Sequence, residues 1–76
     1  MSKILEAFLK NKSGIKRSLA KFSLAPHEVE EVVQETFIKG FAAEMKSEIR
    51  EPKRFLCRIA RNIAISILRQ NKTSPT

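Results

Sequence analysis

Phe55-Leu56-Cys57-Arg58-Ile59-Ala60-Arg61-Asn62-Ile63-Ala64-Ile65-Ser66-Ile67-Leu68 carries two apolar rows: Phe55, Ile59, Ile63, Ile67 and Leu56, Ala60, Ala64, Leu68. Each row advances by four residues, the step that keeps side chains on one helix face. Two adjacent rows of this kind are two ridges, enough to pack against two other helices at once. The stretch therefore predicts a helix from Pro52 to about Gln70 with two helical neighbours. Pro52 suits its first turn, where a missing N–H is no loss.

Upstream sequence supplies both neighbours. From Pro26 to about Met45, Val29, Val32, Val33, Thr36, Phe37, Gly40 and Phe41 recur at offsets of three and four and predict one buried stripe. Pro26 again fits a first turn, and Glu28, Glu30 and Glu31 complement the helix dipole behind it. Gly40 on the stripe is either a close helix–helix approach or a tolerated imperfection. From about Lys3 to Phe22, Ile4, Leu5, Phe8, Leu9, Ile15, Leu19 and Phe22 share one side. Ser13-Gly14 is a candidate break there, because a mid-helix glycine costs about 1 kcal/mol relative to alanine. Ser23-Leu24-Ala25-Pro26 reads as a stop and restart, and Lys46 to Glu51 as a polar connector. Two glycines, no Asn-Gly turn and no sustained alternation argue against a sheet. The expected fold class is all-α, a compact three-helix domain. It spans residues 1–70, with 71–76 as a polar tail or the start of a linker.

Length and composition narrow the function. Seventy-six residues make one domain, and a chain of this size buries only about 60% of its unfolded surface. That leaves little room for a deep catalytic cavity and favours a binding module. A hydrophobic content of 42% is nonetheless enough for a real core. The single cysteine, Cys57, forms no internal disulfide, and its apolar setting predicts a buried, inert thiol. Cys57 and His27 belong to no ligand-spaced cluster, so no metal is expected. No signal-peptide core and no apolar run of about 20 residues is present. The expected setting is cytoplasmic, with no membrane insertion and nothing that demands more than a monomer.

Charge separates two faces. Fifteen Lys and Arg outnumber eight Glu, for a net charge of +7, a balance that suits a polyanionic partner. Yet all but one of the acids from Glu28 onward lie between Glu28 and Glu48, whereas Arg50 to Lys72 carries seven basic residues and one acid. On the second helix Glu28, Glu31 and Glu35 recur at helical spacing beside Gln34, and Ile38 continues that face as an apolar residue the core does not need. Two accounts stay open from spacing alone. One is a solvated face with a Glu35–Lys39 pair, worth a few tenths of a kcal/mol. The other is a docking surface for a basic protein element. On the third helix Arg54, Arg58 and Arg61 form a row, joined by Asn62 and farther on by Arg69, with Lys53 and Lys72 at the two ends. Arginine grips phosphate bidentately and asparagine can read a base edge. Solubilisation is the plainer alternative, but the chain's positive excess favours nucleic acid. A membrane surface is disfavoured, because the apolar ridges of this helix are needed for the core. Several glutamates share one helix, but neither a neighbouring His or Cys nor a phosphate or metal loop accompanies them. No catalysis and no cofactor are expected.

The same residues carry a family resemblance. Val29-Glu30-Glu31-Val32-Val33-Gln34-Glu35-Thr36-Phe37-Ile38-Lys39 resembles the acidic E-D-L-V-Q-E-T-F segment of sigma-70-type RNA polymerase sigma factors. Phe55-Leu56-Cys57-Arg58-Ile59-Ala60-Arg61-Asn62-Ile63-Ala64-Ile65 is similar to their W-L-Y-R-I-A-R-N-L-A-I-D helix. Order and separation agree, and the likeness spans roughly Phe8 to Arg69. It corresponds to region 2 of the extracytoplasmic-function group. Ile49-Arg50-Glu51-Pro52-Lys53-Arg54-Phe55-Leu56-Cys57 is further similar to the iron-uptake, ferric-citrate type subgroup.

The resemblance implies a transcription initiation domain. It would dock on the β′ clamp helices of core RNA polymerase and capture the −10 promoter element as melted non-template strand. It places Glu31, Gln34, Glu35 and Ile38 on the polymerase surface. Arg58, Arg61 and Asn62 fall on the DNA side, with Asn62 at the position that helps recognise an unstacked base, and Lys46 to Glu51 falls where a loop shapes that base's pocket. An anti-sigma factor is a further implied partner. The departures are specific. Phe55 and Cys57 stand where Trp and Tyr are usual, so melting power should be modest if those positions touch DNA. Glu31 stands for Asp with a longer reach, and Ser66 for Asp without the charge. Asn71 to Thr76 resembles the interdomain linker, so the chain is expected to lack the helix-turn-helix domain that reads the −35 element, as an excised domain or a natural truncation. Two rival readings are a general basic helical DNA-binding protein, which leaves the acidic strip idle, and an interaction module held by an anti-sigma partner.

Overall fold

A computed structural model of the chain describes residues 2–73. Three helices, α1 (Lys3–Leu19), α2 (Pro26–Lys46) and α3 (Pro52–Thr73), follow one another, with a 3-10 turn at Ala20–Phe22 after α1. No strand occurs among the described residues. Each helix packs against the other two, the arrangement that the double ridge of α3 requires.

Local chemistry sets each helix start. Ser2 caps α1, its Oγ accepting from the Leu5 N–H at 3.0 Å. Two further first-turn N–H groups, of Lys3 and Ile4, donate to Glu44 Oε2 at 2.9 and 3.2 Å, and the Ser2 hydroxyl donates to Glu44 Oε1. A carboxylate near the end of α2 thus serves donors that α1 cannot satisfy internally. Ala25, which precedes α2, has no side-chain acceptor. There Glu28 reaches back instead, accepting from the Ala25 N–H at 2.8 Å. Between the two helices Ser23 adopts φ 55°, a left-handed residue that ends the 3-10 turn.

The Glu44 contacts have a pH signature. Its hydrogen bond from Ser2, which outweighs desolvation, and those from the Ile4 and Lys3 N–H groups hold its carboxyl below the ordinary 4.5. A depressed folded-state value adds stability above the unfolded value, and that stability is lost as pH falls through the folded one. Glu44→Gln is therefore expected to be less stable than the parent at pH 7, with the gap narrowing by pH 3. Urea denaturation at both pH values measures it; an unchanged gap would show that the Glu44 charge contributes nothing.

The core consists of Ile4, Ile15 and Leu19 from α1, Val32 and Val33 from α2, and Leu56, Ala60 and Ala64 from α3. Thr36 is also fully buried, its hydroxyl donating to the Val32 carbonyl at 2.6 Å. Gly40 resolves in favour of close approach: a Cβ there would lie 2.8 Å from Leu56 Cδ2 and 3.4 Å from Ile4 Cγ2. The three helices meet at that point.

Several expectations are corrected. Helix α1 does not break at Ser13-Gly14. Gly14 faces open space, and buried Ile15 and Leu19 hold the helix together beyond it. Leu5, Leu9 and Phe41 are not core residues but are 42%, 64% and 42% exposed. Both apolar stripes are wider than the seam between α1 and α2, so their outer members spill onto the surface beside the packed rings of Phe8 and Phe37 (centroids 4.9 Å apart). Cys57 is half-buried rather than enclosed. Helix α3 continues past Gln70 to Thr73, so its backbone enters the stretch expected to be tail, while residues 74–76 and the side chain of Lys72 lie outside the description. The connector is less polar in effect than in composition, since Ile49 packs against the core and pins it.

Candidate functional site

Helix α3 presents a different surface on each side of its buried ridge. Toward the connector, a cavity of about 870 Å³ opens between residues 48–51 and the first turns of α3. Arg50, Arg54, Arg58 and Arg61 line it, with Phe55 and Cys57 in its wall. The local reason is spacing: positions 54, 58 and 61 form one row on the helix, and Pro52 starts α3 close enough to the connector for Arg50 to face them. Arg54 Nη1 lies 3.4 Å from Glu51 Oε1, an exposed pair that orients the side chain more than it stabilises the fold. Neither Arg58 nor Arg61 has an ion-pair partner among the described residues, and both are exposed. Free guanidinium groups around a half-apolar recess suit a phosphate chain with a base turned inward. Phe55 and Cys57 serve the core and the recess together, each packing inward while lining the cavity.

Not every expected residue on this side meets the cavity. Asn62 is exposed on the next strip of α3, one residue beyond Arg61. Arg69 lies eight residues beyond Arg61, about 12 Å farther along the axis, and is separate from the recess. Ile49 and Arg50 line the cavity from the connector that the family resemblance placed at a base pocket, although neither was singled out there as a site residue. Their signal was the connector itself, a polar run with one aliphatic anchor.

Between α2 and α3 lies a second, smaller groove of about 430 Å³. It gathers all four residues expected on the docking face, Glu31, Gln34, Glu35 and Ile38. Its far wall, which sequence reading did not assign, consists of Ile63, Ser66, Ile67 and Gln70. No ion pair joins Glu35 to Lys39 among the described residues, and neither Glu31 nor Glu35 has a cationic partner there. Ile38 is 59% exposed at the groove's edge. An acidic lip over an aliphatic floor is the complement of a basic amphipathic helix.

Comparison with known families gives a match to sigma-70 region 2 over residues 7–73. The chain belongs to the sigma-70 region 2 family. A curated relative, the ferric citrate uptake sigma factor FecI of Escherichia coli (strain K12), is 34% identical over 44 residues. That alignment takes in 58% of this chain and 25% of FecI, so the chain matches only a quarter of that relative's length. No solved structure matches. Among the described residues no group of His, Cys, Asp or Glu could hold a metal, and no helix is long and apolar enough to cross a membrane.

Proposed function

We propose that this region 2 domain docks on the β′ clamp helices of core RNA polymerase through Glu31, Gln34, Glu35 and Ile38. On its other side it holds the melted non-template strand of the −10 element with Arg54, Arg58, Arg61 and Asn62. Arg69 extends the positive field along the strand's path. The observation that carries the reading is the division of labour around α3, with an acidic, aliphatic groove on one side and an arginine-lined recess on the other. A chain built only for duplex DNA has no use for the first. The protein works as a cytoplasmic monomer within a sigma factor of the extracytoplasmic-function group, held in reserve by an anti-sigma factor. Its likeness to a ferric citrate uptake sigma factor supports placement in the iron-uptake subgroup. The working domain reaches the end of α3 at Thr73.

Titration against an isolated β′ clamp-helix fragment tests the docking half, with Glu31→Lys as the control. The DNA half rests on Asn62. Extruding a base costs a few kcal/mol, so a side chain that reads the flipped base discriminates where phosphate contacts cannot. Asn62→Ala is expected to weaken binding to a −10-like single strand about five- to tenfold and to a scrambled strand hardly at all, by fluorescence anisotropy. Equal losses on both strands would mean that Asn62 reads no base.

A further inference from the structure

Helix α2 offers the groove positions 31, 34, 35 and 38, and helix α3 faces them with 63, 66, 67 and 70. Both sets follow the same i, i+3, i+4, i+7 spacing. Two helices presenting matched quartets across a groove form the holes into which a third helix inserts its knobs. We propose that α3 is the second wall of the docking seat: Ile63, Ser66 and Ile67 contact the polymerase helix directly, opposite Glu31, Glu35 and Ile38. This rests on the docking role proposed for α2 and extends it to a helix otherwise read as serving DNA.

Charge identifies the occupant. The α3 wall is Ile, Ser, Ile and Gln, with no charged group, so Glu31 and Glu35 set the sign of the groove in a chain of net charge +7. Phosphate is repelled there, and a helix bearing Lys or Arg beside aliphatic residues is attracted. Its aliphatic side chains would sit on Ile38, which is 59% exposed, and on the outer edges of Ile63 and Ile67, whose inner edges pack against the core. Ser66, small and exposed, leaves the space in the middle of the wall that an incoming side chain fills. Asn62 and Ile63 are consecutive, about 100° apart around α3. One turn of this helix therefore touches the promoter strand on one side and the polymerase on the other, and docking fixes the helix that reads the base.

Ser66→Lys tests this without disturbing the core, because the residue is exposed. The full chain is titrated against the β′ clamp-helix fragment, with Glu31→Lys in parallel and circular dichroism as a check on folding. The lysine variant is expected to bind tenfold or more weakly, since it sets a cation against a basic helix. Parent-like affinity of Ser66→Lys, beside loss in Glu31→Lys, overturns the α3 wall and leaves the α2 reading standing. Absence of saturable binding by the unaltered chain overturns both. A parent that sediments as a dimer, and as a monomer once Ser66 is lysine, gives the groove to a second copy and also overturns the proposal.

Discussion

Glu31→Lys is expected to fold like the parent and to lose its hold on the β′ clamp-helix fragment. Glu31 is exposed and has no ion-pair partner among the described residues, so its removal leaves no orphaned cation in the fold. Surface changes of this kind usually shift stability by less than about 0.5 kcal/mol. At an interface the balance differs. Truncating one member of a desolvated charge pair costs about 2–5 kcal/mol, and reversal adds repulsion to that loss. Affinity should fall by roughly thirtyfold or more. Isothermal titration calorimetry at fixed salt, with thermal denaturation beside it, separates the two effects. An affinity within threefold of the parent's would remove the acidic strip from the interface. A Tm far below the parent's would instead make Glu31 structural.

The second large effect is in the core. Leu56→Ala should cost about 2–5 kcal/mol, the range for leucine truncation where neighbours cannot collapse fully. A domain of 76 residues has a total stability of about 4–11 kcal/mol, so the variant would melt at least about 10 °C lower. The contact with Gly40 sharpens the prediction. Gly40→Ala alone sets a Cβ 2.8 Å from Leu56 Cδ2, inside a fully buried cluster. Overpacking of about 1–3 kcal/mol then opposes a helix-propensity gain of about 1 kcal/mol. Once Leu56 is alanine the clash is gone and only the gain remains. A double-mutant cycle should therefore return a favourable coupling of about 1 kcal/mol or more, read from urea midpoints. Strict additivity would mean that the two side chains do not meet.

What could be read beforehand followed the reach of local periodicity. The ridges of α3 announced a helix with two neighbours, and Leu56, Ala60 and Ala64 are its buried centre. Periodicity ranks residues by direction around one axis, however, and cannot say how wide the neighbouring surface is. Leu5, Leu9 and Phe41 point the right way and still miss cover, because the α1–α2 seam ends before it reaches them. Gly14 misled for a related reason: propensity charged it about 1 kcal/mol, but Ile15 and Leu19 buried beyond it outweigh that cost. At the site, helical spacing placed Glu28, Glu31, Gln34, Glu35 and Ile38 on one face of α2 and left its role open, and the quartet at 31, 34, 35 and 38 came from the family resemblance. Its opposite wall at positions 63, 66, 67 and 70 depends on how α2 lies across α3, a tertiary fact with no local trace. Glu44 is the extreme case. It serves donors some forty residues away at Lys3 and Ile4, and nothing in its own neighbourhood marks it as a cap.

The way α1 is shared between its partners also bears on biosynthesis. Ile4, Ile15 and Leu19 need both Val32–Val33 of α2 and Leu56, Ala60 and Ala64 of α3 to be covered. A nascent chain that has left the ribosome only as far as Lys46 therefore lacks the α3 residues that cover one flank of α1. The last core residues to emerge are those of α3, the helix that also bears the arginines. Vectorial synthesis thus withholds the stable domain until its arginine-bearing helix is in place, and a transcript cut short before α3 yields a polypeptide suited to chaperones and proteases.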